Sequence, residues 1–316
     1  MRAAVLAAPG TVEIVSTQVP EPGAGEVRVR LEGSGVCGSN LPAWEGRPWF
    51  DYPLAPGAPG HEGWGYVDAL GEALHGPAVG TRVAFLSSHA YAECDLVRAD
   101  ELVMLPPALD GKPFPGEALG CAMNIFRRSG VREAETVAIV GIGFLGALLT
   151  RLASSAGARV IAVSRRRSAL EVARQFGADE VVSSVDFEAA ARRVLSFAPD
   201  GCDCVIEAVG MQPALDLATQ LTRVRGRLVI AGYHQDGLRT VDMQLWNWRG
   251  LDVVNAHERD SGVYVEGIRA AVDAVATGRL DPTPLYTDTF ALDAAGQAFA
   301  KLAERPDGFL KALVTA

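Results

Sequence analysis

The stretch Val-Ala-Ile-Val-Gly-Ile-Gly-Phe-Leu-Gly, residues 137–146, decides the fold of the second part of this chain. Four apolar residues typical of a buried parallel strand run into the pattern G-x-G-x-x-G, and an Ala- and Leu-rich stretch of helical character follows. In this pattern, Gly141 permits a tight turn, Gly143 lets the backbone approach a pyrophosphate, and Gly146 lets the helix pack closely on the strand. The pyrophosphate would bind N–H groups at the start of the helix. The stretch therefore predicts a dinucleotide-binding unit.

The length and composition are those of a globular protein with two domains. The chain has 316 residues, of which 49% are hydrophobic and 21% charged, as in ordinary globular proteins. A net charge of −9 argues against a nucleic-acid or membrane-surface partner. The apolar run at the N-terminus is too short for a signal peptide. Five cysteines at irregular spacings do not form a disulfide framework, so we expect a cytoplasmic protein.

The sequence pattern changes near residue 123. Residues 1–122 are rich in Gly and Pro, with short alternating segments that predict a domain of strands and long loops. Residues 123–258 alternate strands with helices, which predicts a parallel, doubly wound sheet. Residues 259–316 begin with a predicted helix, 263–277, and end in a β-like tail, so we expect them to return to the first domain. The strands predicted in the second domain are 137–140, 159–163, 181–182, 203–209, 227–231 and 251–256, and the helices are 144–156, 168–176, 187–197 and 213–222.

The residues after the second strand of the dinucleotide unit indicate which dinucleotide binds. In NAD-binding units an acidic residue at this place holds the ribose 2′-OH. Here the strand 159–163 is followed by Ser164-Arg165-Arg166-Arg167, without an acid. A hydroxyl and a guanidinium suit a 2′-phosphate, which a carboxylate would repel. The alternative is a solvated basic start to the next helix, although cations there oppose the helix dipole. We favour NADP(H) over NAD(H), with Ser164 and Arg165 at the phosphate.

Five residues upstream could hold a metal ion: Cys37, His61, Glu62, Glu117 and Cys121. If residues 116–121 are helical, Glu117 and Cys121 lie four apart on one face. Cys, His and a third Cys or carboxylate form a usual set for a catalytic zinc that keeps one position open. Taken alone, a Cys is usually a small buried hydrophobic residue and a His is usually structural, and no C-x-x-C pair links them. The residues by themselves leave a zinc centre open.

Taken together, these motifs resemble the medium-chain dehydrogenases/reductases, the zinc-dependent alcohol and polyol dehydrogenases and their relatives. Segments 35–40, 60–62 and 116–121 precede the glycine fingerprint in the order of that family, and the likeness extends to residues 309–313. The resemblance implies an α/β fold, with an irregular β-barrel catalytic domain, a Rossmann domain and an active site in the cleft between them. It also implies a homodimer or homotetramer formed by pairing the last Rossmann strand, here 251–256.

The resemblance implies three sets of site residues. The catalytic residues would be Cys37, Ser39, His61 and Glu62, with the Ser39 hydroxyl on the substrate oxygen. The ligands of one catalytic zinc would come from Cys37, His61, Glu62 and Cys121, with Glu117 at an acidic position of sorbitol-type relatives. Whether Cys121 or a Glu completes the zinc site stays open. Together with the residues argued above, the cofactor-binding set would be Gly141, Gly143, Phe144, Leu145, Gly146, Ser164, Arg165, Gly210, Gly232 and Lys311. The alternative for Gly210 and Gly232 is ordinary use in turns.

Three departures from the family pattern stand out. Asn40 replaces the Asp that usually orients the zinc-bound His; its amide oxygen can still accept from an imidazole N–H, without the charge. Pro42 stands where many relatives carry a His that passes the proton to solvent, so that relay must differ or run through water. The cysteine-rich lobe that holds a structural zinc is missing, since Cys94 is the only cysteine between His61 and Glu117. We therefore expect one catalytic zinc and no structural zinc.

These observations predict an NADP(H)-dependent oxidoreductase that interconverts a secondary alcohol, of the polyol or cyclitol class, with its ketone by zinc-assisted hydride transfer. Its partner would be a small-molecule substrate, with no nucleic acid and no membrane. One alternative is a zinc-free reductase of quinones or activated double bonds, in which Cys37 and His61 are packing residues. A second alternative is a catalytically silent NADPH-binding protein.

Overall fold

A computed structural model describes all 316 residues of the chain. The residues divide into two compact units, one made of Met1–Met123 with Glu258–Ala316 and the other of Asn124–His257. No helix in either unit is long and apolar enough to cross a lipid bilayer.

The first unit is built mainly from strands. In the longest of them, Val27, Val29 and Leu31 are buried while the residues between them are not, as expected when successive side chains point to opposite faces. The elements of this part are β1 (Arg2–Ala8), β2 (Thr11–Ser16), β3 (Glu26–Val36), α1 (Leu41–Trp44), β4 (Glu62–Leu70), β5 (Arg82–Phe85), β6 (Cys94–Arg98), β7 (Leu102–Met104) and α2 (Gly116–Ser129), which continues into the second unit.

The second unit is a parallel six-stranded sheet with helices between its strands. The elements are β8 (Thr136–Val140), α3 (Phe144–Ser155), β9 (Arg159–Ser164), α4 (Arg167–Gln175), β10 (Glu180–Ser183), α5 (Phe187–Phe197), β11 (Cys202–Glu207), α6 (Gln212–Leu221), β12 (Thr222–Ile230), α7 (Met243–Arg249) and β13 (Asp252–Asn255). The strand order β10-β9-β8-β11-β12-β13 is the doubly wound order, in which ligands bind at the carboxyl ends of the strands. The four apolar residues 137–140 are buried in this sheet, as a central parallel strand requires.

The last elements of the chain complete the first unit: α8 (Ser261–Ala276), β14 (Tyr286–Ala291), α9 (Ala295–Glu304) and β15 (Lys311–Thr315). Strand β15 pairs with β3, so the C-terminus joins a seven-stranded sheet of order β14-β15-β3-β4-β5-β7, with β6 also on β3. Strands β1 and β2 form a separate hairpin. All pairs of the large sheet are antiparallel except β14 with β15.

The predicted fold class is confirmed: a sheet-rich unit is joined to a doubly wound, parallel Rossmann unit. Three helices, α1, α7 and α9, were not predicted from the sequence, and α1 has only four residues. Helix α7 has only seven residues, which is too few to show a period. The buried face of α9 includes Ala295 and Ala298, and alanine contributes little to a hydrophobic pattern.

Candidate metal and dinucleotide sites

Strand pairing brings three of the predicted metal ligands together. Cys37 follows the end of β3, and His61 directly precedes β4, whose first residue is Glu62. Because β3 and β4 are antiparallel and Gly35 pairs with Glu62, the end of one strand lies beside the start of the other. One ligand atom each from Cys37, His61 and Glu62 lies within 4.8 Å of the other two.

Glu62 is a completely buried acid that forms an ion pair with Lys311, the first residue of β15. The Lys311 Nζ donates to Glu62 Oε1 at 2.6 Å. It also lies 2.5 Å from Oε2, but Oε2 has no hydrogen bond of suitable geometry. A Cβ at Gly35 would lie 1.8 Å from this same oxygen, so only glycine leaves room for the carboxylate. The role of Lys311 at the cofactor phosphates stays a prediction.

Asn40 connects the segments that carry Cys37 and His61. Its Oδ1 accepts the Cys37 backbone N–H at 3.2 Å and the hydroxyl of the buried Tyr91 at 2.9 Å. Its Nδ2 donates to the Pro59 carbonyl at 3.1 Å. The orientation of the amide is fixed because the Cys37 N–H can only donate and the Pro59 carbonyl can only accept.

The Asn40 oxygen, which could have accepted from the His61 ring, does not form that bond in the structure. Nδ1 of His61 lies 3.0 Å from the Pro59 carbonyl, while the Asn40 amide nitrogen, 3.4 Å away, faces the same ring atom. The Asn40 oxygen is already used by Cys37 and Tyr91. A backbone carbonyl therefore takes the Nδ1 proton, which leaves Nε2 as the nitrogen that could bind a metal.

Charge at the cluster stabilises a protonated imidazole. Burial alone would lower the pKa of His61. A hydrogen bond to Cys37 and the negative charges of Cys37, Glu117 and Glu62 have a larger effect and raise this pKa to about 10. The same negative groups would attract a divalent cation, which displaces the proton when it binds. The Ser39 Oγ lies 3.4 Å from His61 Nε2, so a hydroxyl is present beside this nitrogen.

Glu117 and Cys121 lie on the first turns of α2, which is helical as their proposed pairing requires. Neither belongs to the set of atoms within 4.8 Å. Burial raises the pKa of the Glu117 carboxyl, against the charges of His61 and Lys311. Burial, with the nearby charges of Glu117, Cys37 and Glu62, also raises the pKa of the Cys121 thiol well above its ordinary value. Cys121 as a zinc ligand stays a prediction.

The donor set fits a zinc ion. A thiol sulfur, an imidazole nitrogen with its other nitrogen on a carbonyl, and a carboxylate are ligands that zinc takes in proteins. The Glu62 carboxylate is already paired with the Lys311 ammonium, so a zinc ion bound by Glu62 would share the carboxylate with this lysine.

In the second unit, two glycines of the fingerprint lie where a side chain would be strained or would clash, and the third leaves its backbone open. Gly141 has a φ of +101°, which favours glycine. A Cβ at Gly146 would lie 2.0 Å from the Gly141 carbonyl oxygen, so α3 can approach the strand only with glycine there. Gly143 directly precedes Phe144 and Leu145. A Cβ at Gly143 would meet no atom within 4 Å, so the backbone of Gly143 is open to a ligand.

The three arginines after β9 differ in their placement. Ser164 is buried, and its Oγ accepts the Arg166 N–H at 3.3 Å. The Arg166 guanidinium reaches the glycine loop, where Nη2 donates to the Ile142 carbonyl at 3.3 Å. Arg165, the residue that the sequence favoured, is exposed. Sequence reasoning missed Arg166, because a run of three arginines does not show which one faces the loop.

Gly210 and Gly232 lie against each other in the loops after β11 and β12. A Cβ at Gly232 would lie 2.1 Å from the Gly210 nitrogen, and Gly210 has a φ of +82°. The close approach of the two loops therefore explains why glycine is needed at both positions, which agrees with the alternative that these glycines serve the turns. The loops nevertheless lie at the carboxyl ends of their strands, where a doubly wound sheet binds ligands.

The comparisons with known proteins identify the family. Residues 23–138 match the alcohol dehydrogenase GroES-like domain, and residues 145–274 match the zinc-binding dehydrogenase domain. The chain belongs to the medium-chain dehydrogenase/reductase superfamily, and within it the chain is an NAD(P)-dependent alcohol dehydrogenase.

Several relatives are similar to this chain over nearly its whole length. The 2-dehydro-3-deoxy-L-galactonate 5-dehydrogenase of Pseudoalteromonas atlantica is 28% identical, over 95% of this chain and 94% of that protein. The sorbitol dehydrogenase of Homo sapiens is 25% identical, over 93% and 90%. Among solved structures, a protein from Sinorhizobium meliloti 1021 described as a zinc-binding dehydrogenase and bound to NADP is 26% identical, with a TM-score of 0.85 and coverage of 100% and 99%.

Proposed function

We propose that this protein is an NADP(H)-dependent dehydrogenase that uses one zinc ion to interconvert a secondary alcohol of the polyol or sugar-acid class with its ketone. The observation that carries the proposal is the cluster of Cys37, His61 and Glu62, whose ligand atoms lie within 4.8 Å of one another. Relatives named for a sugar acid and for sorbitol support this substrate class.

Zinc would be held by Cys37 and His61, with Cys121 or a carboxylate of Glu62 or Glu117 completing the set. When bound, it supplies a Lewis acid for the substrate oxygen, while the nicotinamide ring exchanges the hydride.

The chain's own residues orient the ligands and move the proton. During oxidation the Ser39 hydroxyl would take the substrate proton while it releases its own proton to water, and during reduction both transfers would run in reverse. The Pro59 carbonyl holds His61 Nδ1–H, and Asn40 fixes this carbonyl relative to Cys37. Lys311 forms an ion pair with Glu62 within the buried sheet and so holds the carboxylate in place. These bonds fix the ligand directions before substrate binds.

Metal analysis of the purified protein tests the zinc proposal. We expect about one zinc per chain and loss of alcohol oxidation after chelation, with recovery on adding zinc. The zinc-free reductase alternative predicts far less zinc and activity that survives chelation, and this result would overturn the proposal. A panel of polyols, sugar acids and their ketones, assayed in both directions, distinguishes an enzyme from a silent NADPH-binding protein.

The preference for NADP(H) is proposed from Ser164 and the adjacent arginines, and the NADP-bound relative supports it. Titration with NADPH and NADH tests it in the wild type, Arg165→Ala and Arg166→Ala. We expect at least one of these variants to lose about tenfold in NADPH affinity, because a charge-assisted bond to phosphate is lost, with NADH binding unchanged. Tighter binding of NADH by the wild type would contradict the preference.

We also propose a homodimer formed through β13. This strand is the edge of the six-stranded sheet, and three of its four residues are exposed. An unpaired edge of this kind can pair with a second copy.

A further inference from the structure

A buried carboxylate joins two loops of the second unit. Glu207, the last residue of β11, is completely buried. Its Oε1 accepts the backbone N–H groups of Val209 and Gly210 at 2.7 and 2.8 Å. Its Oε2 lies 2.9 Å from Nε2 of His234, in the loop after β12. One side chain therefore holds the loops that follow two neighbouring strands.

His234 is fixed in one tautomer by groups on both sides. The Arg239 Nε donates to His234 Nδ1 at 2.8 Å. Because a guanidinium can only donate, Nδ1 must accept and the ring proton is on Nε2, which donates to Glu207. Arg239 also donates from Nη2 to the Gly210 carbonyl at 2.9 Å and pairs with Asp236. The imidazole thus connects the Glu207 carboxylate to the Arg239 guanidinium through one hydrogen bond on each side.

The two loops approach so closely that side chains are excluded between them. A Cβ at Gly232 would lie 2.1 Å from the Gly210 nitrogen and 2.7 Å from Glu207 Oε2. The Gly232 N–H donates to the Glu207 carbonyl at 2.7 Å. Both loops lie at the carboxyl ends of β11 and β12, the ligand-binding edge of a doubly wound sheet.

We propose that Glu207 and His234 are positioning residues that hold these loops in the conformation that binds NADP(H); this inference rests on the proposed function. The bridge acts through the backbone at Gly210 and Gly232 and requires no contact with the cofactor. Loops that are ordered beforehand bind more tightly, because binding does not have to order them. A fully satisfied buried network provides that order.

The experiment compares the wild type with His234→Ala and His234→Gln. NADPH fluorescence titration gives Kd, and thermal unfolding gives Tm. We expect His234→Ala to raise Kd at least about tenfold, as two hydrogen bonds are lost, with zinc content unchanged. A glutamine amide offers both a donor for Glu207 and an acceptor for Arg239, so His234→Gln should recover most of the affinity.

Glu135→Gln is the matched control. Glu135 precedes β8, at the opposite end of the same sheet, and its carboxylate pairs with Arg227 at 2.5 Å. Its loss should lower Tm and leave Kd unchanged. The proposal is overturned if His234→Ala binds NADPH as the wild type does, or if Glu135→Gln weakens binding equally at matched Tm.

The wild type separates this inference from the cofactor proposal. If the wild type prefers NADH, and if His234→Ala weakens NADH binding, the positioning role of His234 is supported and the NADP(H) preference is wrong. If it binds neither cofactor, both fall.

Discussion

At the scale of single residues, we expect a substitution in the Glu62–Lys311 ion pair to reduce the stability of the fold strongly. Both side chains are nearly inaccessible, with 0% and 5% of their surface exposed. Two buried charges are tolerated because each compensates the other, and removing one leaves the other buried without a partner. Glu62 is itself one of the candidate zinc ligands, so stability and metal binding are linked at this pair.

Lys311→Met should destabilise the metal-free protein by about 3–5 kcal/mol, the cost of leaving a buried carboxylate unpaired. Urea unfolding of the metal-free protein measures this loss. The double variant Glu62→Gln/Lys311→Met removes both charges and should recover a large part of it. A double variant that is as unstable as Lys311→Met alone would show that the lost packing of the lysine, not the stranded charge, is responsible.

Asn40→Leu should weaken zinc binding about 10- to 100-fold, the usual effect of removing a group that orients a ligand. The substitution removes the bonds to Cys37, Tyr91 and Pro59 with little change in volume. Competition against a chromophoric chelator measures the affinity. Tyr91→Phe, which removes only one of these bonds to Asn40, is the graded control and should have a smaller effect. Equal zinc affinities in Asn40→Leu and the wild type would show that Asn40 does not orient the zinc ligands.

The raised pKa of His61 gives a pH dependence of defined sign. Its pKa in the folded protein is about 10, against an ordinary value of 6.5. The stabilisation is therefore fully present below about pH 6.5 and is lost as the pH rises towards 10. Denaturant unfolding of the metal-free protein across this range should show the decline, and His61→Asn should lack it. Apparent zinc affinity should rise over the same range, because zinc competes with the proton.

At the scale of elements, the sequence predicts the features that depend on residues close together in the chain. The glycine fingerprint, the alternating strands and helices, and the helical pairing of Glu117 with Cys121 all depend on residues within a few turns of one another. The Lys311–Glu62 bond joins residues 249 positions apart, and no local pattern signals it. The same holds for the Pro59 carbonyl that replaces Asn40 at His61, since a backbone group carries no sequence signal.

Helix α2, which carries Glu117 and Cys121, packs against α8 through a glycine. A Cβ at Gly120 would lie 2.7 Å from the Ile268 nitrogen, on the backbone of α8. Gly120→Ala should therefore destabilise the protein by about 1–3 kcal/mol through overpacking. Gly296 in α9 is the control, since its Cβ would make only an ordinary contact at 3.4 Å with Val12.

Gly296→Ala should be neutral or stabilise by up to about 1 kcal/mol through helix propensity. Thermal and urea unfolding should thus show a loss of stability for Gly120→Ala and none for Gly296→Ala. If both variants are stabilised, α2 and α8 can separate without cost, and the position of Glu117 and Cys121 is not fixed by this contact.

At the scale of the whole molecule, the chain builds its sheet-rich unit from both ends. Strand β15 pairs with β3 next to the segment that carries Cys37, so the candidate metal site is complete only when the last residues have folded back. The second unit is continuous in sequence, and its strand order follows from local βαβ connections. This difference explains why the sequence predicted the elements of the Rossmann unit more fully than those of the sheet-rich unit.

The edge strand β13 leads to a prediction about assembly. Val253 on this strand is 40% exposed, so pairing at this edge with a second copy would remove apolar surface from water. Val253→Lys should raise the Kd of the proposed dimer by about 100-fold or more, because a lysine on an edge strand opposes strand pairing. Analytical ultracentrifugation over a concentration series measures this. Met104→Lys is the control, since Met104 is 61% exposed on β7, at an edge of the other sheet. If Met104→Lys dissociates the protein and Val253→Lys does not, the copies meet through the sheet-rich unit instead of through β13.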